Sequence, residues 1–178
     1  GIRHEAGRIR SVICRPASGA GPVEIPCDDV LSTMPIRDFV QALEPAAPAA
    51  ILDLATRLPY RDFLTVGLVV RRMIATSPAK VAPANGMPPD NWIYIQEPDV
   101  KLGRLQVFNN WSPDMVADPS RIFLGLEYFC DEGDALWRMD DAALKDFAAA
   151  ELVKIGLIEP GVVEKGTVVR VPKAYPAY

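Results

Sequence analysis

The chain has 178 residues, 49% of them hydrophobic and 24% charged, with a net charge of −4 and a pI near 5.1. That length can bury one sizeable core. The mild acidic balance, with no cluster of Lys and Arg beyond the Arg71-Arg72 pair, excludes a surface built to track nucleic-acid phosphates. The longest apolar run, 63–70, carries Thr65 and is far shorter than the ~20 residues of a membrane span, so no span is expected. Nor does the N-terminus show a charged-then-apolar leader.

The elements follow in chain order. Residues 8–15 mix Ile9, Val12 and Ile13 with Arg and Ser and read as the first strand of a hairpin. A Pro- and Gly-rich loop at 16–22 leads to a returning strand at 23–25. Residues 28–35 read as a strand running into a turn. Ile36, Phe39, Val40 and Leu43 share one face of a short helix over 36–43, and the Glu44-Pro-Ala-Ala-Pro48 stretch breaks it. Ile51, Leu54, Ala55 and Leu58 mark a second helix over 49–58.

Residues 62–74 give the strongest strand. Apolar on both faces from Phe63 to Val70, it reads as central and covered on both sides. A long exposed loop is expected over 77–89, rich in Pro, Ala and Gly. Strands follow at 92–96, 103–108 and 122–129. Leu144, Phe147, Ala148, Leu152 and Ile155 then form an amphipathic helix, with Asp140 or Asp141 as its N-cap and Gly156 as its stop. A last strand is expected at 167–171. The order implies an α+β fold: a mixed, largely antiparallel sheet with helices packed on it, not regular βαβ winding.

Much catalytic chemistry is excluded. His4 is the only histidine, and Cys14, Cys27 and Cys130 are widely spaced, so neither a zinc site nor a Ser-His-Asp triad is supported. An odd, scattered set of thiols suits a reducing, cytoplasmic compartment. No GxGxxG follows a first strand; Gly19-Ala20-Gly21 sits in a loop and lacks the third glycine.

Several segments, in order, carry a family resemblance. The stretch from Asp29 to Ile36, DVLSTMPI, resembles the strand by which the flavin domain of FAD-dependent amine oxidase-like proteins leads into the substrate domain. The hairpin before it fits that domain's β-meander. Leu58-Pro-Tyr-Arg-Asp-Phe63, Gly103-Arg-Leu-Gln-Val-Phe108 and Gly125-Leu-Glu-Tyr128 resemble substrate-domain strands of UDP-galactopyranose mutases. Val171-Pro-Lys-Ala-Tyr-Pro176 is similar to the stretch that returns to the flavin. The resemblance, to the amine oxidase, protoporphyrinogen oxidase and UDP-galactopyranose mutase group, implies the substrate-side piece of an FAD-linked oxidoreductase. It implies residues 1–35 as part of the flavin domain and 36–178 as the substrate-binding domain. FAD would belong to the complete protein, the piece alone being inactive, without tight flavin, and prone to self-association. The implied substrate is a small molecule, with a sugar nucleotide favoured by the mutase-like segments.

By that resemblance Arg104 faces flavin and substrate phosphates, a task that suits a permanently charged, bidentate guanidinium. The alternative is a strand arginine paired with Glu127 or Asp99. The chain carries Gly103 where many mutases have a hydroxyl residue. Tyr60 and Arg61 either line a pocket rim or cap a strand. Trp92, Tyr94, Phe108 and Trp111 form an aromatic wall or a plain core. Asn109 and Asn110 offer amides near the same strand end or make a turn. Glu127 acts as acid or base, or pairs with an arginine. Tyr128, Tyr175 and Tyr178 are further substrate candidates. A second class remains open throughout: a free-standing module binding carbohydrate or protein through its aromatic strand ends.

Overall fold

A computed structural model describes residues 1–74 and 85–177. The chain divides into two compact units, Gly1–Tyr60 with the end of the chain from Tyr175, and Arg61–Ala174. The expected loop over 77–89 falls outside the described residues as far as residue 84, as do Tyr178 and the Tyr175 side chain.

The first unit holds a four-stranded sheet in the order β3-β2-β1-β4, from strands β1 (Ile2–Glu5), β2 (Arg8–Cys14), β3 (Val23–Pro26) and β4 (Leu43–Glu44). β1 was not anticipated. It pairs with β2 through the two-residue turn Ala6-Gly7, both at positive φ (49° and 76°), the backbone that a tight hairpin demands. Helices α1 (Ile36–Gln41) and α2 (Ala49–Arg57) form where expected, but α1 stops short of Leu43, which β4 takes into its pairing with β1, and Ile36, Ile51, Leu54 and Leu58 stay exposed. β4 pairs with β1 in parallel, which makes the sheet mixed.

The strand expected at 28–35 does not form. A strand exists only against a neighbour, and no described strand pairs with this segment, which leaves Leu31 fully exposed.

The second unit is built on a five-stranded sheet, β6-β7-β8-β5-β9. Its strands are β5 (Tyr60–Val70), β6 (Trp92–Tyr94), β7 (Arg104–Val107), β8 (Ile122–Cys130) and β9 (Val163–Pro176). β6 with β7, β7 with β8 and β8 with β5 are all antiparallel. The α+β expectation holds, and β5 is central. Its two faces differ, however: Leu64, Val66, Leu68 and Val70 are buried, while Phe63, Thr65, Gly67 and Val69 are half-buried.

The buried face is the core. Leu105, Val107, Ile122, Leu124, Leu126 and Tyr128 join the β5 leucines and valines there, against Leu144, Ala148 and Leu152 of helix α5 (Asp141–Lys154). Two short helices were not anticipated, α3 (Phe108–Trp111) and α4 (Ala135–Arg138).

The ends of α5 are well satisfied. The Asp140 carboxylate accepts the Ala143 N–H at 2.9 Å. At the other end Gly156 takes φ 73°, its N–H reaching the Val153 carbonyl while that of Leu157 reaches the Leu152 carbonyl, which is a Schellman stop. In its last turn, buried Glu151 accepts the backbone N–H groups of Lys101 (2.6 Å) and Leu102 (3.1 Å), tying the helix to the approach of β7.

Candidate anion site on the open face of the sheet

In an antiparallel pair, residues in register point to the same side. Arg104 of β7 is opposite Glu127 of β8, which is opposite Thr65 of β5; Tyr94 of β6 is opposite Arg104. One register step along, Trp92, Gln106, Gly125 and Gly67 form a second row. These two rows make up a face that is polar and aromatic, the reverse of the aliphatic core.

Arg104 is at the centre of this face. Its side chain is 10% exposed and that of Glu127 only 3%. The Arg104 Nε–H donates to Glu127 Oε2 at 2.5 Å, and the other carboxylate oxygen accepts from the Gln106 amide. Four rings surround the guanidinium: Trp92 and Phe129 at 4.6 and 4.8 Å from its carbon, Phe63 and Tyr94 at 5.7 and 5.9 Å. Cation–π attraction of this kind contributes ~1 kcal/mol or more per well-placed ring once water is excluded. Trp92 in turn stacks on Tyr94 and meets Trp111 edge-on, with centroids 6.1 and 6.4 Å apart.

The two Nη groups of Arg104 make no hydrogen bond to any described residue. Arg170 of β9 provides a contrast within the same unit. Its Nε, Nη1 and Nη2 donate to the Trp137 carbonyl, the Asp141 carboxylate and the Met139 carbonyl respectively, leaving a structural tie with no open edge. Arg104 is instead anchored at Nε and open at Nη, the arrangement that receives an oxyanion in bidentate fashion.

Glycine at 103 has a local cause. A Cβ there would stand 2.8 Å from the Phe129 ring. The absent side chain lets that ring lie against the guanidinium. Beyond Phe108, whose ring lies over Gly125, the same face continues into an apolar hollow of about 310 Å³ lined in part by Gly67, Val69, Phe123 and Thr167.

The structure gathers Arg104, Tyr94 and Trp111 and separates the other candidates. Tyr128 is adjacent to Glu127 and therefore points to the opposite face. Its ring is wholly buried, 6.0 Å from that of Phe147, which removes it from this site. Its hydroxyl is buried close to the Glu151 carboxylate without a well-formed hydrogen bond, and burial, followed by the negative charge of Glu151, pushes its ionisation far above the usual tyrosine range. Asn109 is fully used by the fold: its amide donates to the Arg121 carbonyl and accepts the Phe123 N–H, pinning α3 to the start of β8. Asn110 likewise donates to the carbonyls of Pro88 and Asp90. Tyr60 belongs to the first unit, where its hydroxyl accepts the Ile36 N–H at 3.1 Å. Arg61 is exposed at the start of β5. Glu127 takes the pairing role.

Three members of the cluster were not anticipated as site residues: Phe63, Phe129 and Gln106. Sequence spacing alone does not give strand register, and it is register that brings them to Arg104. The alternation of Phe129 with Glu127 was the available signal.

No family model and no curated protein matches the chain. Solved structures do share its fold. Reduced UDP-galactopyranose mutase aligns with 98% of the chain at a TM-score of 0.56 and 19% identity. A protein provisionally assigned as a protoporphyrinogen oxidase, from Exiguobacterium sp. 255-15, aligns with 99% at 0.53 and 20% identity. An oxidoreductase from Methanosarcina mazei aligns with 97% at 0.53 and 11% identity. At these identities the likeness is one of fold. The chain spans about a third of each of those chains, 34%, 34% and 36%. No described helix is long and apolar enough to cross a membrane.

Proposed function

We propose that this chain is the substrate side of an FAD-dependent oxidoreductase or mutase, and that Arg104 receives an anionic group of a small-molecule substrate. The observation that carries this reading is the open Nη edge of a guanidinium anchored at Nε by a buried carboxylate and ringed by four aromatic side chains. A phosphate or carboxylate offers the complementary pair of oxygens, and a planar or sugar moiety beside it would rest on Trp92, Tyr94 and Trp111. Among anionic substrates a sugar nucleotide is the class we favour, because the fold is shared with a UDP-galactopyranose mutase.

The described residues do not by themselves make a dinucleotide site. The longest helix, α5, has its N-terminus filled by the Asp140 carboxylate, and no Gly-rich turn joins a strand to a helix there. FAD would therefore be held by the remainder of a longer, cytoplasmic parent, with residues 1–35 completing its flavin domain and residues 36–178 forming the pocket wall. Bound there, the flavin would supply the redox chemistry. The residues of this chain would bind and orient the substrate.

The test uses the chain itself. Trp92 is 4.6 Å from the Arg104 guanidinium and serves as a reporter. Titration with UDP or inorganic pyrophosphate is expected to change tryptophan emission saturably in the wild type and not in Arg104→Gln. No change in the wild type at millimolar ligand would overturn the anion reading. Stoichiometric, micromolar uptake of FAD by the isolated chain would overturn the division of labour.

A second reading keeps support from one feature. Trp92, Tyr94 and Trp111 are 41%, 66% and 47% exposed, an open aromatic platform that suits a neutral pyranose or a protein partner. Galactose binding as tightly as UDP, unaffected by Arg104→Gln, would favour that free-standing module.

A further inference from the structure

We infer that Gln106 is a positioning residue that keeps the Nη edge of Arg104 available, acting through Glu127. The inference deepens the anion-site reading and rests on it for its functional meaning, though its geometry stands apart.

A buried carboxylate beside a guanidinium can pair with it through one oxygen or through both. A glutamate with both oxygens uncommitted forms a side-on, two-pronged pair, taking Nε with one oxygen and an Nη with the other. Such a pair is stronger than a single hydrogen bond, and the carboxyl torsion that allows it is soft. An Arg104 so engaged would have half its Nη edge turned to the protein.

Here the second prong is withheld. Glu127 Oε2 accepts Arg104 Nε at 2.5 Å, while Oε1 accepts the Gln106 amide. A carboxylate accepts only, so the nitrogen of the Gln106 amide must be the atom that faces it. Gln106 is two residues from Arg104 on β7 and therefore on the same face; its register partner on β8 is Gly125, not Glu127. It reaches Glu127 along the diagonal, and the absence of a side chain at Gly125, where a Cβ would be 3.6 Å from that of Gln106, leaves its path clear. Glu127 is 3% exposed, so water does not readily replace the amide if it is removed.

The result is a chain of assignments: Gln106 fixes one oxygen of Glu127, Glu127 fixes Nε of Arg104, and the Nη pair is left for a ligand. Removing the Gln106 amide frees Oε1 to capture an Nη. The guanidinium then becomes a more rigid internal ion pair and a poorer anion receptor, without loss of the fold.

Gln106→Met keeps length and apolar volume while deleting the amide. In chain labelled with nitrogen-15, the Arg104 side-chain signals, assigned by their loss in Arg104→Lys, report rotation about the Nε–Cζ and Cζ–Nη bonds. The wild type is expected to show Nη signals averaged by rotation, and Gln106→Met to show them resolved, with pyrophosphate affinity weakened about tenfold, the scale of one hydrogen bond to a charged group. A merely structural glutamine would leave both readouts unmoved at a lowered melting temperature. Should Gln106→Met fold poorly, Gln106→Asn, whose amide is too short to reach, is expected to give the same resolved signals. Unchanged Arg104 signals in a folded Gln106 variant would overturn the inference. If those signals change but the wild type binds no pyrophosphate, the positioning role stands and the anion-site reading fails.

Discussion

Leu126 and Glu127 are consecutive residues of one strand, and both are buried, but for opposite reasons. Leu126 sits on the aliphatic face, where burial of apolar surface is itself the driving force. Glu127 sits on the open face, where burial is a cost met by two specific partners, Arg104 and Gln106. The first environment tolerates any shape-matched hydrophobe. The second works only while its donors and acceptors stay matched. One sheet thus carries an aliphatic face that secures the fold and a face whose polar residues hold one another by specific pairing, and the alternation of β-strands is what allows both.

Substitutions at four positions would break or sharpen this contrast. The largest effect is expected at the charged pair. Glu127→Ala strands the Arg104 guanidinium in a site only 10% exposed and should cost about 4 kcal/mol in urea denaturation. A cost below about 1 kcal/mol would mean that the open face is wetter than described. Next is its neighbour: Leu126→Ala opens a cavity in the aliphatic face and should cost about 3 kcal/mol, leaving anion binding in place.

Tyr128 tests the closed face in the other direction. Its hydroxyl is buried beside the Glu151 carboxylate without a well-formed hydrogen bond, so Tyr128→Phe should stabilise the chain by about 1.5 kcal/mol. The raised ionisation of Tyr128 also gives a pH dependence. Above pH ~10 the unfolded chain releases that proton while the folded chain retains it, so stability contributed by Tyr128 is present below pH ~10 and is lost as pH rises further. Urea midpoints from pH 9 to 11 should fall more steeply in the wild type than in Tyr128→Phe. The smallest effect is expected at the cap of α5, where Asp140→Ala should cost about 1 kcal/mol.

The first unit differs from the second in the same terms. Val23, Ile25, Leu31, Met34, Ile51 and Leu54 are each between 47% and 101% exposed, whereas its buried apolar residues are Ile2, Val40 and Ala55. A surface of this kind seeks cover. In the proposed reading the rest of the parent supplies it, and the isolated chain should self-associate in sedimentation as concentration rises.

Much of the fold was legible from local pattern. The cap and stop of α5, the two-helix stretch after Pro35 and the apolar run of β5 each announce themselves, because helix ends and buried strands make short-range chemical demands. β1 did not, because four residues bearing Arg3, His4 and Glu5 have no apolar signature; pairing with β2 makes them a strand. The segment 28–35 shows the converse, a strand-like composition that no partner completes.

The site divides in the same way. The sequence by itself determined that an arginine, a carboxylate and several aromatic residues lie on neighbouring strands. Only the tertiary structure decided which of them meet. Register set Arg104 against Glu127 and ringed it with Phe63, Trp92, Tyr94 and Phe129, while the period of two sent Tyr128 into the core and the amide of Asn109 went to the backbone of β8. The reason is physical: side-chain type is a local property, whereas the few ångströms that anchor an arginine at Nε and leave its Nη groups without a described partner are fixed by hydrogen bonds between strands distant in sequence.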